Sequence, residues 1–206
     1  MVKAQLQARG IRDERVLAAM AKVPRHEFVA PEYRKQAYED HPLPIGKEQT
    51  LSQPYIVAIM LEALELRGSE IVLEVGTGSG YQTALLAELA QRVYSIERHE
   101  SLAREAEARL LPLGYNNVTV IVGDGSQGLM QSAPFDAVIV SAAAPRVPTS
   151  LVEQLREGGR MVVPVGPAQS QELLLVRKQA GDAVVKTLEG CRFVPLIGGQ
   201  GYAEGW

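Results

Sequence analysis

Apolar positions along the chain fall into two regimes. In the first sixty-six residues they recur at helical intervals: Ile11, Val16, Leu17 and Met20 mark one stripe, and positions 56, 57, 60, 61 and 64 mark a second over Tyr55–Leu66. Between the stripes, from Pro24 to Pro54, the chain is rich in proline and charge and reads as loop. Ser52 stands where a helix N-cap is expected, and Pro54 falls in the first turn, where a missing N–H costs nothing. From residue 70 the period changes. Short apolar runs at 71–75, 93–96, 118–122, 137–140, 161–165 and 173–176 read as strands, with helical stretches at 81–90 and 100–111 between the first three.

Several of these runs are continuously apolar, as strands covered on both faces must be. Strands alternating with helices imply an α/β fold, a doubly wound and mostly parallel sheet. The last two strands, about 171–178 and 184–194, are joined only by "QAGDA", a spacing that suits a hairpin and hence an antiparallel edge. One domain is expected over 1–206: a helical and loop cap over 1–66 and an α/β core over 67–206.

Composition adds little to this outline but removes several function classes. A net charge of −3 argues against a broad nucleic-acid face. Cys191 is the only cysteine, which rules out an internal disulfide and fits a reducing compartment, so a cytoplasmic protein is expected. The N-terminal residues carry scattered charges and lack the apolar segment of a signal peptide, and no window has the roughly 18 apolar residues of a membrane span. His26, His41 and His99 are too far apart to show metal-ligand spacing, and no metal is expected.

The chemistry concentrates in "LEVGTGSGYQTALL", which follows the first core strand and opens a helix. Glycines let the backbone turn sharply and a ligand approach, and the helix N-terminus offers free N–H groups to an anion. A dinucleotide fingerprint needs a third glycine at position 81 or 83, where Tyr81 and Thr83 stand, and no G-K-[ST] follows for a phosphate loop. The pattern is instead Glu74-x-Gly76-x-Gly78-x-Gly80, which resembles that of the class I methyltransferases that bind S-adenosylmethionine. Such a cofactor has an amino-acid end, and an acid beside its ammonium and helix N–H groups beside its carboxylate make sense. Glu97, at the end of the second strand, is placed to accept two ribose hydroxyls. Asp124, after the third, is placed to accept an adenine amino group, with the Gly125 N–H beside a ring nitrogen. These residues point to S-adenosylmethionine.

In order along the chain, "VPRHEFV", "AYEDHPLPIGKEQTLSQPYIVAIM", "VLEVGTGSGYQTALLAEL", "VYSIER", "GDGS", "FDAVIVSAAAP", "LREGGRMVVPVG" and "FVPLIGG" resemble the protein-L-isoaspartate O-methyltransferases. The resemblance runs from about Val23 to Gly199. The glycine motif is common to class I methyltransferases, whereas T-x-S-Q-P-Y is particular to this family. What it implies is methyl transfer from S-adenosylmethionine, leaving S-adenosylhomocysteine, to the free α-carboxylate of L-isoaspartyl residues in damaged proteins and peptides. The methyl ester then returns to a succinimide, part of which opens to normal aspartate. By this match Ser52 takes the family's catalytic serine position, with Thr50, Leu51 and Gln53 lining the substrate pocket. A monomer acting on neither nucleic acid nor membrane is expected; the alternative is a methyltransferase of RNA or of a small molecule. The chain departs from the family pattern at Glu48, where glycine is usual, at Arg146, and in its longer tail "GGQGYAEGW".

Overall fold

The computed structural model describes residues 1–205; Trp206, the end of the tail, lies outside the described residues. After a π-helical turn at Val2–Leu6 and a 3₁₀ turn at Gln7–Arg9, Asp13 starts the first α-helix, α1 (Glu14–Lys22), by accepting the Arg15 and Val16 backbone N–H groups on its side chain. The stripe of Val16, Leu17, Ala19 and Met20 is buried. The proline-rich loop that follows is more structured than its sequence announces. It holds two 3₁₀ turns, Arg25–Phe28 and Pro31–Gln36, and a two-stranded antiparallel ribbon of β1 (Leu43–Gly46) and β2 (Gln49–Leu51). Strands this short show no alternation to detect, so the ribbon was invisible to periodicity.

The second helix, α2, spans Pro54–Leu64 and buries Val57, Ala58, Met60, Leu61 and Leu64. It stops short of Leu66 because Glu65 takes a left-handed conformation with φ 50°. The Glu65 carboxylate accepts Nη2 of both Arg160 (2.8 Å) and Arg177 (2.7 Å), which ties the helix end to the sheet.

The core then alternates strand and helix: β3 (Ile71–Val75), α3 (Tyr81–Leu89), β4 (Arg92–Glu97), α4 (Glu100–Leu110), β5 (Val118–Val122), β6 (Phe135–Val140), α5 (Thr149–Glu153), β7 (Leu155–Val165), β8 (Gln171–Gln179) and β9 (Asp182–Cys191). The seven strands pair in the order β5-β4-β3-β6-β7-β8-β9. The first five are parallel, and β8 and β9 complete the sheet antiparallel, as the short "QAGDA" connection at 179–183 implied. Strand β7 begins six residues before the expected 161, in the polar stretch "LREGGR", because pairing with β6 (Phe135 with Leu155) rather than hydrophobicity holds it there. Strand β9 ends at Cys191 rather than 194. Beyond it the Gln171 amide brackets Phe193, donating to its carbonyl (3.1 Å) and accepting its N–H (2.6 Å).

Alternate strand residues feed two apolar layers, as a period of two requires. Val72, Val93, Ala137, Ile139 and Val162 pack with α1, α2 and α3 on one face. Leu73, Ile96, Val138, Val140, Met161 and Val163 pack with Leu151 and Leu155 on the other. The chain therefore winds out from β3 to β5 and returns to β6, leaving a crevice beyond the carboxyl ends of β3 and β6, where open α/β sheets bind ligands. Among the described residues no helix is long and apolar enough to cross a membrane.

Candidate active site

A cavity of about 420 Å³ occupies that crevice. Its floor is the loop between β3 and α3, Gly76 to Ser79, with Ser141 and Ala142 following β6. The β1–β2 ribbon with Thr50, Leu51 and Ser52 forms one wall, Glu97 to His99 and Gly125 another, and Val194 to Ile197 the roof. The roof is held by main-chain bonds: Ala143 N–H donates to Val194 O and Leu196 N–H to Ala143 O, each 2.8 Å.

The glycine loop owes its shape to close approaches. Gly78 (φ 53°) lies under the ribbon, where a Cβ would stand 3.1 Å from the Ile45 Cδ1. Gly80 (φ 89°) is the N-cap of α3, and a Cβ there would stand 3.2 Å from the Ala106 Cβ in α4. Gly80 thus serves the fit of α3 against α4 and is not on the cavity wall. The positive end of α3 is left pointing at the floor.

Glu97 is only 5% exposed, and its two oxygens accept the N–H of Gly78 and that of His99, both at 2.9 Å. It holds the glycine loop against the end of β4 while lining the cavity, and a carboxylate has further lone pairs for hydroxyls of a ligand. Gly125 lines the same wall.

Glu74 stands elsewhere than expected. It does not line the cavity but lies fully buried beneath it, accepting from Thr83 Oγ1 (2.6 Å), Ser95 Oγ (2.6 Å) and Gln82 Nε2 (3.0 Å). Its position on β3 faces α3 rather than the loop's open side. Burial pushes its pKa up to about 7, against the lowering effect of the Ser95, Thr83 and Gln82 hydrogen bonds. What meets the cavity in its stead is the Gln82 side chain, which also donates to Ser141 Oγ at 2.7 Å.

Asp124 is also displaced from the wall. It accepts from Ser126 N (2.9 Å) and Ser126 Oγ (2.7 Å) on one oxygen and from Gly199 N (2.8 Å) on the other, so the tail docks upon it. It lines a neighbouring depression with Arg98 and Tyr202.

On the opposite wall, Ser52 is not the N-cap. That position belongs to Gln53, which makes no capping bond and instead donates to Asp40 Oδ2 at 2.8 Å, away from the cavity. Among the described residues the Ser52 hydroxyl takes up no hydrogen bond, whereas its carbonyl accepts from Arg25 Nη2 at 2.7 Å. Of the sequence-predicted residues, then, Thr50, Leu51, Ser52, Gly76, Gly78, Glu97 and Gly125 meet at one cavity; Gln53, Glu74, Gly80 and Asp124 support it from outside. Gln82, Ser141 and the roof were not anticipated. A glutamine in the first turn of the helix behind a glycine loop is the available signal for Gln82.

The strand order, the glycine loop after β3 and the carboxylate ending β4 define a class I S-adenosylmethionine-dependent methyltransferase fold. Over residues 1–201 the chain matches the model of the protein-L-isoaspartate(D-aspartate) O-methyltransferase family. It is 59% identical to a protein-L-isoaspartate O-methyltransferase of Koribacter versatilis, over 98% of this chain and 91% of that one. Among solved structures, one protein-L-isoaspartate O-methyltransferase superposes with a TM-score of 0.84 at 30% identity, covering 94% of this chain and 64% of the other. A structure assigned to the Plasmodium falciparum protein-L-isoaspartate O-methyltransferase, in complex with S-adenosyl-L-homocysteine, superposes with a TM-score of 0.81 at 26% identity over 93% of this chain and 94% of that one. The chain belongs to the protein-L-isoaspartate(D-aspartate) O-methyltransferase family.

Proposed function

We propose that this chain moves a methyl group from S-adenosylmethionine to the free α-carboxylate of L-isoaspartyl residues in damaged proteins and peptides. The observation that carries the reading is the meeting of Thr50, Leu51 and Ser52 with the glycine loop and Glu97 around one cavity. The residues present suit the cofactor. The end of α3 offers positive charge to a carboxylate, Glu97 offers acceptors to ribose hydroxyls, and the Gln82 amide and Ser141 hydroxyl offer polar atoms beside the loop.

When bound, S-adenosylmethionine supplies a methyl group on a sulfonium sulfur, which a carboxylate oxygen takes while the sulfur keeps the bonding pair. The acceptor carboxylate has a pKa of about 4 and is ionised at neutral pH, so the protein need provide no general base. The task left to Ser52 is orientation: its uncommitted hydroxyl donates to one carboxylate oxygen and leaves the other free to react. Thr50 and Leu51 shape the pocket around it, and the roof from Val194 to Ile197 restricts water. Orientation of this kind is worth about 7–11 kcal/mol of a barrier.

We further propose a cytoplasmic monomer in which the 1–66 cap and the α/β core act as one domain. Both sides of the cavity come from a single chain, and a lone cysteine suits a reducing compartment. The net charge of −3 favours protein over nucleic acid as the acceptor.

The test is methyl transfer from labelled S-adenosylmethionine to a short isoaspartyl peptide and to its aspartyl twin. A base-labile ester on the isoaspartyl peptide alone is the expected result. Transfer to neither peptide, with S-adenosylhomocysteine still bound, would show that the acceptor belongs to another class.

A further inference from the structure

Arg25 is the only lysine or arginine among the described residues that is fully buried, at 0% exposure. No carboxylate lies within ion-pairing distance of it among the described residues. Its guanidinium stacks over the Tyr81 ring, 4.8 Å from the centroid. Two of its nitrogens hold main-chain carbonyls: Nε donates to Ala37 O at 2.6 Å and Nη2 to Ser52 O at 2.7 Å. The third, Nη1, makes no hydrogen bond of ordinary length among the described residues. Burial lowers the Arg25 pKa, against the raising effect of Tyr81 and Asp40, so the group is desolvated at a cost that a side chain serving only to fill space would avoid.

The two carbonyls show what that cost secures. Ala37 ends the 3₁₀ turn Pro31–Gln36, and Ser52 lies in the joint between β2 and α2, outside either element, so no strand ladder or helix fixes its peptide plane. Charge-assisted bonds are stronger than neutral ones, and one rigid guanidinium fork reaching both carbonyls locks the two segments together. The peptide plane after Ser52 and the direction of its Cα–Cβ bond are coupled through a single dihedral angle, so a fixed carbonyl restrains the hydroxyl.

We propose that Arg25 is a positioning residue for methyl transfer: by pinning the Ser52 carbonyl it sets where the Ser52 hydroxyl stands on the cavity wall. The inference rests on the orienting role given to Ser52 above. Arg25 itself does not line the cavity and touches no reacting atom.

A double-mutant cycle tests it, with kcat and KM for an isoaspartyl peptide, the Kd of S-adenosylhomocysteine and the Tm measured on Arg25→Met, Arg25→Lys, Ser52→Ala and the combinations. Arg25→Met is expected to lower kcat at least about tenfold, because small misplacements at a reacting centre are costly, while the S-adenosylhomocysteine Kd stays within about twofold. Arg25→Lys, which can hold one carbonyl, should recover part of the loss. If Arg25 acts through Ser52, adding Arg25→Met to Ser52→Ala costs less than about twofold more, since interacting sites are non-additive. A full multiplicative loss in the double variant would overturn the proposal and leave Arg25 a structural bolt. Should Arg25→Met fail to fold, the pair Arg25→Lys and Ser52→Ala/Arg25→Lys carries the same comparison. If Ser52→Ala turns over like the wild type, the role of Ser52 fails; if Ser52→Ala is slow but the Arg25 variants are not, only the present inference fails.

Discussion

At the scale of single residues, two side chains carry opposite kinds of information. Ser52 has a free hydroxyl, a pinned carbonyl and a place on the cavity wall. Ser52→Ala should therefore lower turnover on an isoaspartyl peptide by about tenfold or more through lost orientation, with the S-adenosylhomocysteine Kd, read by calorimetry, nearly unchanged. Glu74 is legible from sequence as important and misleading as to why. The same E-x-G-x-G-x-G spacing that marks the loop places this acid on the helix-facing side of β3, under the loop rather than in it. Its pKa is raised to about 7 by burial, from an ordinary value of 4.5. A carboxyl raised on folding binds its proton more tightly in the native state, so its contribution to stability is complete below pH 4.5 and is lost as pH rises through 7. Lowering the pH from 8 to 6 should recover about 1 kcal/mol on this account. In thermal melts Glu74→Gln should abolish that share of the pH dependence. An unaltered difference between pH 6 and pH 8 in the variant would assign the titration elsewhere.

Among the elements, the β1–β2 ribbon is the least legible in sequence, although it forms a wall of the cavity. Two short strands within a proline-rich loop give no periodic signal, yet they hold Ile45 against Gly78 and carry Thr50 and Leu51 to the cavity. The turn joining them has Lys47 at φ 52° and Glu48 at φ 58°, a conformation that glycine or asparagine adopts more cheaply. The departure from the family pattern at Glu48 is thus a strained residue on the cavity wall. Glu48→Gly should relieve about 1 kcal/mol and raise the Tm by about 2–4 °C for a chain of this size. A lower Tm would mean that the Glu48 side chain stabilises the turn through contacts the backbone geometry does not reveal. The tail is a second element whose position was not readable: Gly199 N–H on Asp124 and Arg98 on Glu204 (2.8 Å) fold it onto the end of the sheet. Those are contacts over 75 and 106 residues of sequence, beyond any local pattern.

For the whole molecule, the cap and the core share one apolar layer, in which Phe28 and Leu43 pack in the same cluster as Val72 and Ile139. The crevice is lined by residues of both halves, so ligand binding there should be coupled to global folding. Saturation with S-adenosylhomocysteine at about 100 times its Kd should add about 2.7 kcal/mol of stability and raise the Tm by several degrees. Glu97→Ala should remove most of that shift by taking away the proposed ribose acceptor and releasing the Gly78 N–H. A full shift in Glu97→Ala would place the ribose elsewhere. The alternation of strands and helices, the antiparallel end of the sheet, the glycine loop and the acid at the end of β4 are all legible in the linear chain, because each is a local pattern of period, turn and spacing. Which of the polar residues meet depends on how distant segments pack. Glu74 was drawn under the floor, Asp124 was turned to the tail, Gln53 was turned to Asp40, and Arg25 was sealed behind Ser52. Those outcomes turn on which face of a strand or side of a joint is left open once distant segments pack, and short-range pattern carries no record of it.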